Sequence, residues 1–186
     1  MMTEQELMTV IQRAADAVRV RSSAEWRVMI VLGSGLGALA DDVESAVRIP
    51  YAEIPGFAAS TVPGHSGAFL IGKLYGVPVA VMQGRSHFYE GYPPWQITLP
   101  VRVASTLGAQ TMIISNAAGG INRRYAVGDV MMMTDHINLI DMLGNNPLVG
   151  PNLSAFGPRF PSMTEAHDPA LRELALRAAT DAGVKL

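Results

Sequence analysis

The chain of 186 residues contains no cysteine, so neither a disulfide nor a thiolate metal site can form within it. A reducing compartment suits that absence without requiring it. Charged residues make up 16% of the chain and aromatic residues 6%. The 14 Lys and Arg stand against 16 Asp and Glu, giving a formal net charge of −2. No basic run occurs, so the electrostatic footprint of a nucleic-acid binder is missing. No apolar stretch reaches the roughly 18 residues that a membrane-spanning helix needs. The segment "MMTEQELMTV" is acidic and polar, unlike a secretory signal. These absences lead to the expectation of a soluble, cytoplasmic, single domain over 1–186 that binds neither nucleic acid nor membrane.

What is present is 49% hydrophobic and organised. Thr3 and Glu6 have capping-box spacing, and Leu7, Val10, Ile11, Ala14, Ala15 and Val18 then recur on one helical face. "WRVMIVL" (26–32) is a short β-branched run, the pattern of a strand buried on both faces. "GAFLIGKL" and "VPVAVMQG" flank Tyr75-Gly76 and predict a hairpin. "PVRVASTLGA" predicts a helix entered through Pro100 and stopped at Gly108, and "TMIIS" (111–115) another buried strand. "DVMMMTDHINLI" predicts a further strand, with Met131, Met132 and Met133 as core filler. Residues 143–161 are rich in Gly, Pro and Asn, and a loop of that length is usually functional or an interface. Asp168 and Pro169 open a last helix as cap and first residue, Gly183 closes it, and "VKL" reads as a strand start. Strands alternating with helices, one hairpin among them, predict an α/β fold on a mixed sheet.

Three predicted strands end in glycine-containing turns: "GSGLGA", "GRSHFYEG" and "NAAGG". Ligands of α/β sheets bind at the carboxyl ends of strands, so the three turns predict one shared pocket. Gly33, Gly35 and Ala38 fit a dinucleotide fingerprint, but only about ten residues follow before the strand-like stretch near Val47, which Pro50 interrupts. What remains is a set of amides at a helix start, with the Ser34 hydroxyl, able to bind an anion; a plain strand-to-helix turn is the alternative. In "GRSHFYEG", Arg85 and His87 fall on one side of an extended segment and suit phosphate or carboxylate, with Tyr89 continuing the alternation. Glu90 then points elsewhere, able to hold Arg85 or His87 from behind; His87 and Glu90 are also the candidate acid–base pair, and an ordinary surface ion pair is the alternative. "NAAGG" offers backbone N–H groups and close approach of a flat ligand to Ala117, Ala118 and Gly119, or is a simple turn.

"VPGHSGA" (62–68) approaches a hydrolase nucleophile elbow at Ser66, but position 68 is Ala68 and a strand pattern follows where the elbow needs a helix. His65, between Gly64 and Gly67, reads instead as a loop histidine facing the same anion, on a loop able to close over a ligand. The four histidines, His65, His87, His136 and His167, have no metal-ligand spacing, so no metal is expected. Asp135 and His136 read as a hydrogen-bonded pair at a strand end.

"VLGSGLGALAD", "EIPGF", "STVPGHSG", "QGRSHFYEGYP", "NAAGGIN", "VGD", "DHINL", "NPLVGPN" and "RFPSM" occur in this order. From about Val28 to Met163 the chain thereby resembles the trimeric, phosphate-dependent purine nucleoside phosphorylases. The resemblance implies a mixed, partly barrel-like sheet flanked by helices. It implies phosphorolysis of purine nucleosides and deoxynucleosides in purine salvage, with inorganic phosphate as co-substrate and no cofactor. Ser34, His65, Arg85, Ser86, His87 and the backbone of Ala117 would bind phosphate, and Tyr89 would contact ribose. Phe160, in a homotrimer, would reach a neighbouring subunit's ribose pocket, while Glu90 would support the phosphate residues. Members of this family continue past the point matching Leu186 and carry their purine-reading residues there. The domain is therefore expected to be C-terminally incomplete, inactive and poorly folded as this polypeptide alone. A xanthosine- or methylthioadenosine-type phosphorylase and a non-catalytic phosphate- or nucleotide-binding fragment are the alternatives. A dinucleotide-dependent oxidoreductase is disfavoured by the short connection after Gly37.

Overall fold

A computed structural model describes residues 2–58 and 67–186. Helix α1 (Glu4–Arg21) begins at the expected capping box: the Thr3 hydroxyl accepts the Glu6 N–H at 3.2 Å, and the Glu6 carboxylate accepts the Thr3 N–H at 2.7 Å. Each bond satisfies a donor that the first turn would otherwise leave without a partner. The Thr3 N–H also holds the exposed Glu6 carboxyl below the usual carboxylate range.

Five strands form one mixed sheet in the order β2-β3-β4-β1-β5. They are β1 (Val28–Leu32), β2 (Glu44–Pro50), β3 (Ala68–Leu74), β4 (Val77–Gln83) and β5 (Thr111–Ile114). The β3–β4 hairpin turns at Tyr75 (φ 50°) and Gly76 (φ 80°), two left-handed residues whose twist matches the paired strands. β2 runs antiparallel to β3, so the chain after "GSGLG" does not form the parallel crossover of a dinucleotide fold. Pro50 does not interrupt β2. It ends that strand at the sheet edge, where a missing N–H breaks no ladder.

Alternation along the strands sorts side chains onto two faces. Met29, Val31, Phe69, Ile71, Ala80 and Met82 join one buried cluster with Leu7, Ile11, Ala14, Ala15 and Val18 of α1. Leu99, Val103 and Ala104 of α3 (Leu99–Thr106) close that layer, after the short α2 (Pro94–Ile97). Phe69 has no exposed surface and meets Trp26 and Phe57 edge-on, with ring centroids 6.0 and 6.4 Å apart. Burial of such a ring is worth about 1.5–3 kcal/mol, and the edge-to-face pairs add to it. Leu32, Leu70, Val79 and Val81 form the opposite face with Ala40 and Val43.

After Thr111 the structure departs from the sequence pattern. β5 is an edge strand, not a buried one, with Met112, Ile113 and Ile114 exposed. Residues 129–138 form no strand, and Met131 and Met133 are exposed instead of filling the core. A short α4 (Leu139–Met142) and an irregular stretch follow, from which Leu153 alone among the described residues enters the core. Helix α5 (Pro169–Asp181) is capped by Asp168, whose carboxylate accepts the Leu171 N–H at 3.0 Å, and Gly183 (φ 68°) closes it. Its Leu171, Leu174 and Leu176 are exposed, and residues 184–186 form no strand.

Candidate functional site

β1, β4 and β5 are parallel neighbours, with Leu32 opposite Gln83 and Val31 opposite Ile114. The turns after them therefore leave the sheet at one edge, as their sequence positions predict. The Gly33 N–H donates to Ser115 Oγ at 2.8 Å, and that hydroxyl donates to the Val31 carbonyl at 3.1 Å. A Cβ on Gly33 would lie 2.4 Å from the Ser115 carbonyl oxygen, so only glycine allows this approach. Arg85 Nη1 donates to the Leu32 carbonyl at 3.0 Å, which carries the guanidinium from the end of β4 across the end of β1. That bond uses one of the group's five donors.

Ser34 is exposed in the turn after Gly33, where Gly35 has φ 85°. A 3-10 helix (Gly37–Asp42) follows where an α-helix start was expected; Leu36, with no capping side chain, precedes it. Anion binding in this turn thus rests on the loop's own amides and the Ser34 hydroxyl, with no aligned α-helical dipole behind them.

The chain is extended through His87 and then turns as a 3-10 helix (Phe88–Glu90) that ends at Gly91, φ 88°. The expected alternation therefore stops before Tyr89. The cause is Glu90, whose carboxylate accepts the His87 backbone N–H at 2.7 Å and so closes the turn. The same oxygen lies 3.1 Å from His87 Nδ1, and the Glu90 side chain is 3% exposed. The Tyr89 ring stacks on the His87 imidazole, centroids 4.9 Å apart, with its hydroxyl 3.2 Å from Nδ1. With Nδ1 engaged on this side, Nε2 is the ring nitrogen left for a ligand. Glu90 thus contacts both the backbone and the ring of His87.

Ser86 points into a small recess with Tyr51, Met82 and Gln96. Ala117, Ala118 and Gly119 follow Ser115 in an exposed stretch, where Asn116 Nδ2 donates to the Ala117 carbonyl at 3.3 Å. Phe160 is 88% exposed and lies in an irregular loop held by Arg159 Nη1 on the Gly150 carbonyl at 2.6 Å. His65 and Ser66 lie outside the described residues. Ala68–Leu74 is a strand, so the helix that a Ser66 elbow needs is not formed.

Among the described residues no three His, Asp or Glu side chains come together as a metal site. His136 donates its backbone N–H to Asp135 at 2.8 Å, away from any strand, and its Nδ1 lies 3.2 Å from His167 Nε2. Two site contributors escape the motif reading, Ser115 and Tyr51. Ser115 directly precedes "NAAGG", but its clamp on Gly33 needs the β1–β5 pairing to be visible.

A family model described as the phosphorylase superfamily matches residues 27–186. The purine nucleoside phosphorylase 1 of Geobacillus stearothermophilus is 48% identical over 178 residues, covering 96% of this chain and 64% of that protein. The Bos taurus purine nucleoside phosphorylase is 50% identical over 149 residues, covering 80% of this chain and 52% of the bovine one. A crystal structure of purine nucleoside phosphorylase in complex with ribose-1-phosphate superposes with a TM-score of 0.90 at 44% identity, over 98% of this chain and 67% of that one. The Schistosoma mansoni enzyme in complex with inosine gives 0.88 at 43% identity, over 95% and 62%. This chain therefore spans under two thirds of the length of these curated relatives.

Proposed function

Because the chain belongs to the phosphorylase superfamily, and within it to the purine nucleoside phosphorylases, we propose that it carries the phosphate-binding part of an enzyme that cleaves purine nucleosides and deoxynucleosides with phosphate. The products are the free base and (deoxy)ribose 1-phosphate. The observation that carries this reading is Arg85 lying across the end of β1, beside the "GSGLG" turn and within two residues of the His87–Glu90 pair. A cation, an imidazole, a hydroxyl and loop amides on one sheet edge are what an oxyanion with several acceptor oxygens requires.

In the reaction, one phosphate oxygen forms a bond to the anomeric carbon while the bond from that carbon to the purine nitrogen breaks. The base leaves with the bonding electrons and takes up a proton. Arg85, His87, Ser34, Ser86, His65 and the Ala117 amide hold phosphate in line. Their contribution is orientation and charge balance at an oxocarbenium-like transition state. Glu90 keeps the imidazole turned toward phosphate, and Tyr89, stacked on that imidazole, faces the sugar, with Ala118 and Gly119 lining the base side.

The reading needs no metal or organic cofactor. It places the enzyme in purine salvage in the cytoplasm, as a homotrimer in which the exposed Phe160 enters a neighbouring subunit's ribose pocket. A second reading, a non-catalytic phosphate-binding protein, is favoured by the single core residue contributed after Thr111 among the described residues.

The test is inosine with and without phosphate, on this chain and on any longer reading frame that contains it. Hypoxanthine and ribose 1-phosphate in equal amounts, only with phosphate, are expected from the longer frame. Phosphate-independent release of free ribose contradicts the reading.

A further inference from the structure

Tyr51 carries none of the motif chemistry, yet it touches the flanks of two segments that do. It is 4% exposed, and its hydroxyl donates to the Gly84 carbonyl at 2.6 Å. Gly84 (φ 86°) immediately precedes Arg85. With no Cβ, its left-handed backbone is held by hydrogen bonding more than by sterics. On its other side the Tyr51 ring occupies the space a Gly67 side chain would need: a Cβ there would lie 2.2 Å from the ring. The Tyr51 N–H donates to the Gly67 carbonyl at 3.0 Å. Gly67 is the first described residue after the segment that contains His65.

We propose that Tyr51 is a positioning residue for phosphate, held against Gly67 on one side and fixing through Gly84 the direction in which Arg85 and His87 leave β4. This rests on the phosphorolysis reading above. Phe57 meets the ring edge-on at 5.5 Å and keeps it in place. Burial also pushes the hydroxyl's pKa upward, against the lowering effect of the Arg48 charge, so it stays a proton donor to Gly84.

Tyr51→Phe removes the hydroxyl and keeps the ring, and Tyr125→Phe is the control for loss of a hydroxyl elsewhere. Inorganic phosphate affinity, followed by phosphorus NMR line broadening, is expected to weaken about five- to tenfold in Tyr51→Phe and to stay within about twofold in Tyr125→Phe. Hydrogen exchange is expected to quicken at residues 84–91 while the α1 amides keep their protection; a merely structural role would quicken both. Unchanged affinity in Tyr51→Phe against a wild type that binds phosphate overturns the inference alone. With the longer reading frame as wild type, absence of phosphate binding overturns the functional reading instead, and unchanged exchange at residues 84–91 then still overturns the positioning of that segment.

Discussion

Arg85 Nη1 and the Leu32 carbonyl, 3.0 Å apart, tie the end of β4 to the end of β1. The cation is held by backbone, so its direction is set by the sheet and not by a flexible ion pair. Arg85→Ala is expected to weaken phosphate binding by about 1.5–3 kcal/mol, the loss of one charged hydrogen-bond set. Arg85→Lys restores the charge but not the forked geometry, so it should recover only part of the affinity. Phosphate titration of the two variants checks both.

Glu90 accepts both the backbone and the ring nitrogen of His87. Glu90→Ala leaves those donors without their partner and is expected to weaken phosphate binding by about 1–2 kcal/mol. Glu90→Gln keeps an acceptor oxygen for the backbone and should fall between the variant and wild type. Circular dichroism should show the fold retained in both, because the turn lies outside the core clusters.

Gly33→Ala places a methyl group 2.4 Å from the Ser115 carbonyl, a backbone atom that cannot rotate away. The expected cost is about 1–3 kcal/mol, as for other overpacked sites. Urea unfolding should show a lower midpoint with an unchanged slope.

Tyr51 gives stability a dependence on alkaline pH. Its folded-state pKa is raised by burial above the usual tyrosine value of about 10. A raised value means the folded state holds the proton more tightly than the unfolded chain. The stabilisation is complete below about pH 10 and falls as pH rises beyond it. Unfolding midpoints between about pH 9 and 11 should drop more steeply for wild type than for Tyr51→Phe.

Much of this architecture is legible in the residues themselves. Thr3 and Glu6 announce α1, Tyr75-Gly76 the hairpin, and three glycine turns the shared sheet edge, because each depends on local chemistry. Tyr89 is misread because a side-chain bond from Glu90 to the His87 N–H ends the extended segment early, and alternation alone does not reveal it. The 129–140 stretch has strand-like composition, but a strand also needs a neighbour, and no ladder forms there among the described residues. Met112, Ile113 and Ile114 look like core in sequence and lie exposed on an edge for the same reason. Tyr51 escapes notice because its partners, Gly67 and Gly84, are remote in sequence and offer only backbone.

Three turns that act as one phosphate site must titrate as one. Titrating inorganic phosphate into uniformly nitrogen-15-labelled protein while following backbone amides tests it most directly. Ser34, Gly35, Arg85, Ser86, His87 and Ala117 are expected to shift together with a single dissociation constant. Shifts confined to one turn, or turns that titrate with different constants, would contradict it.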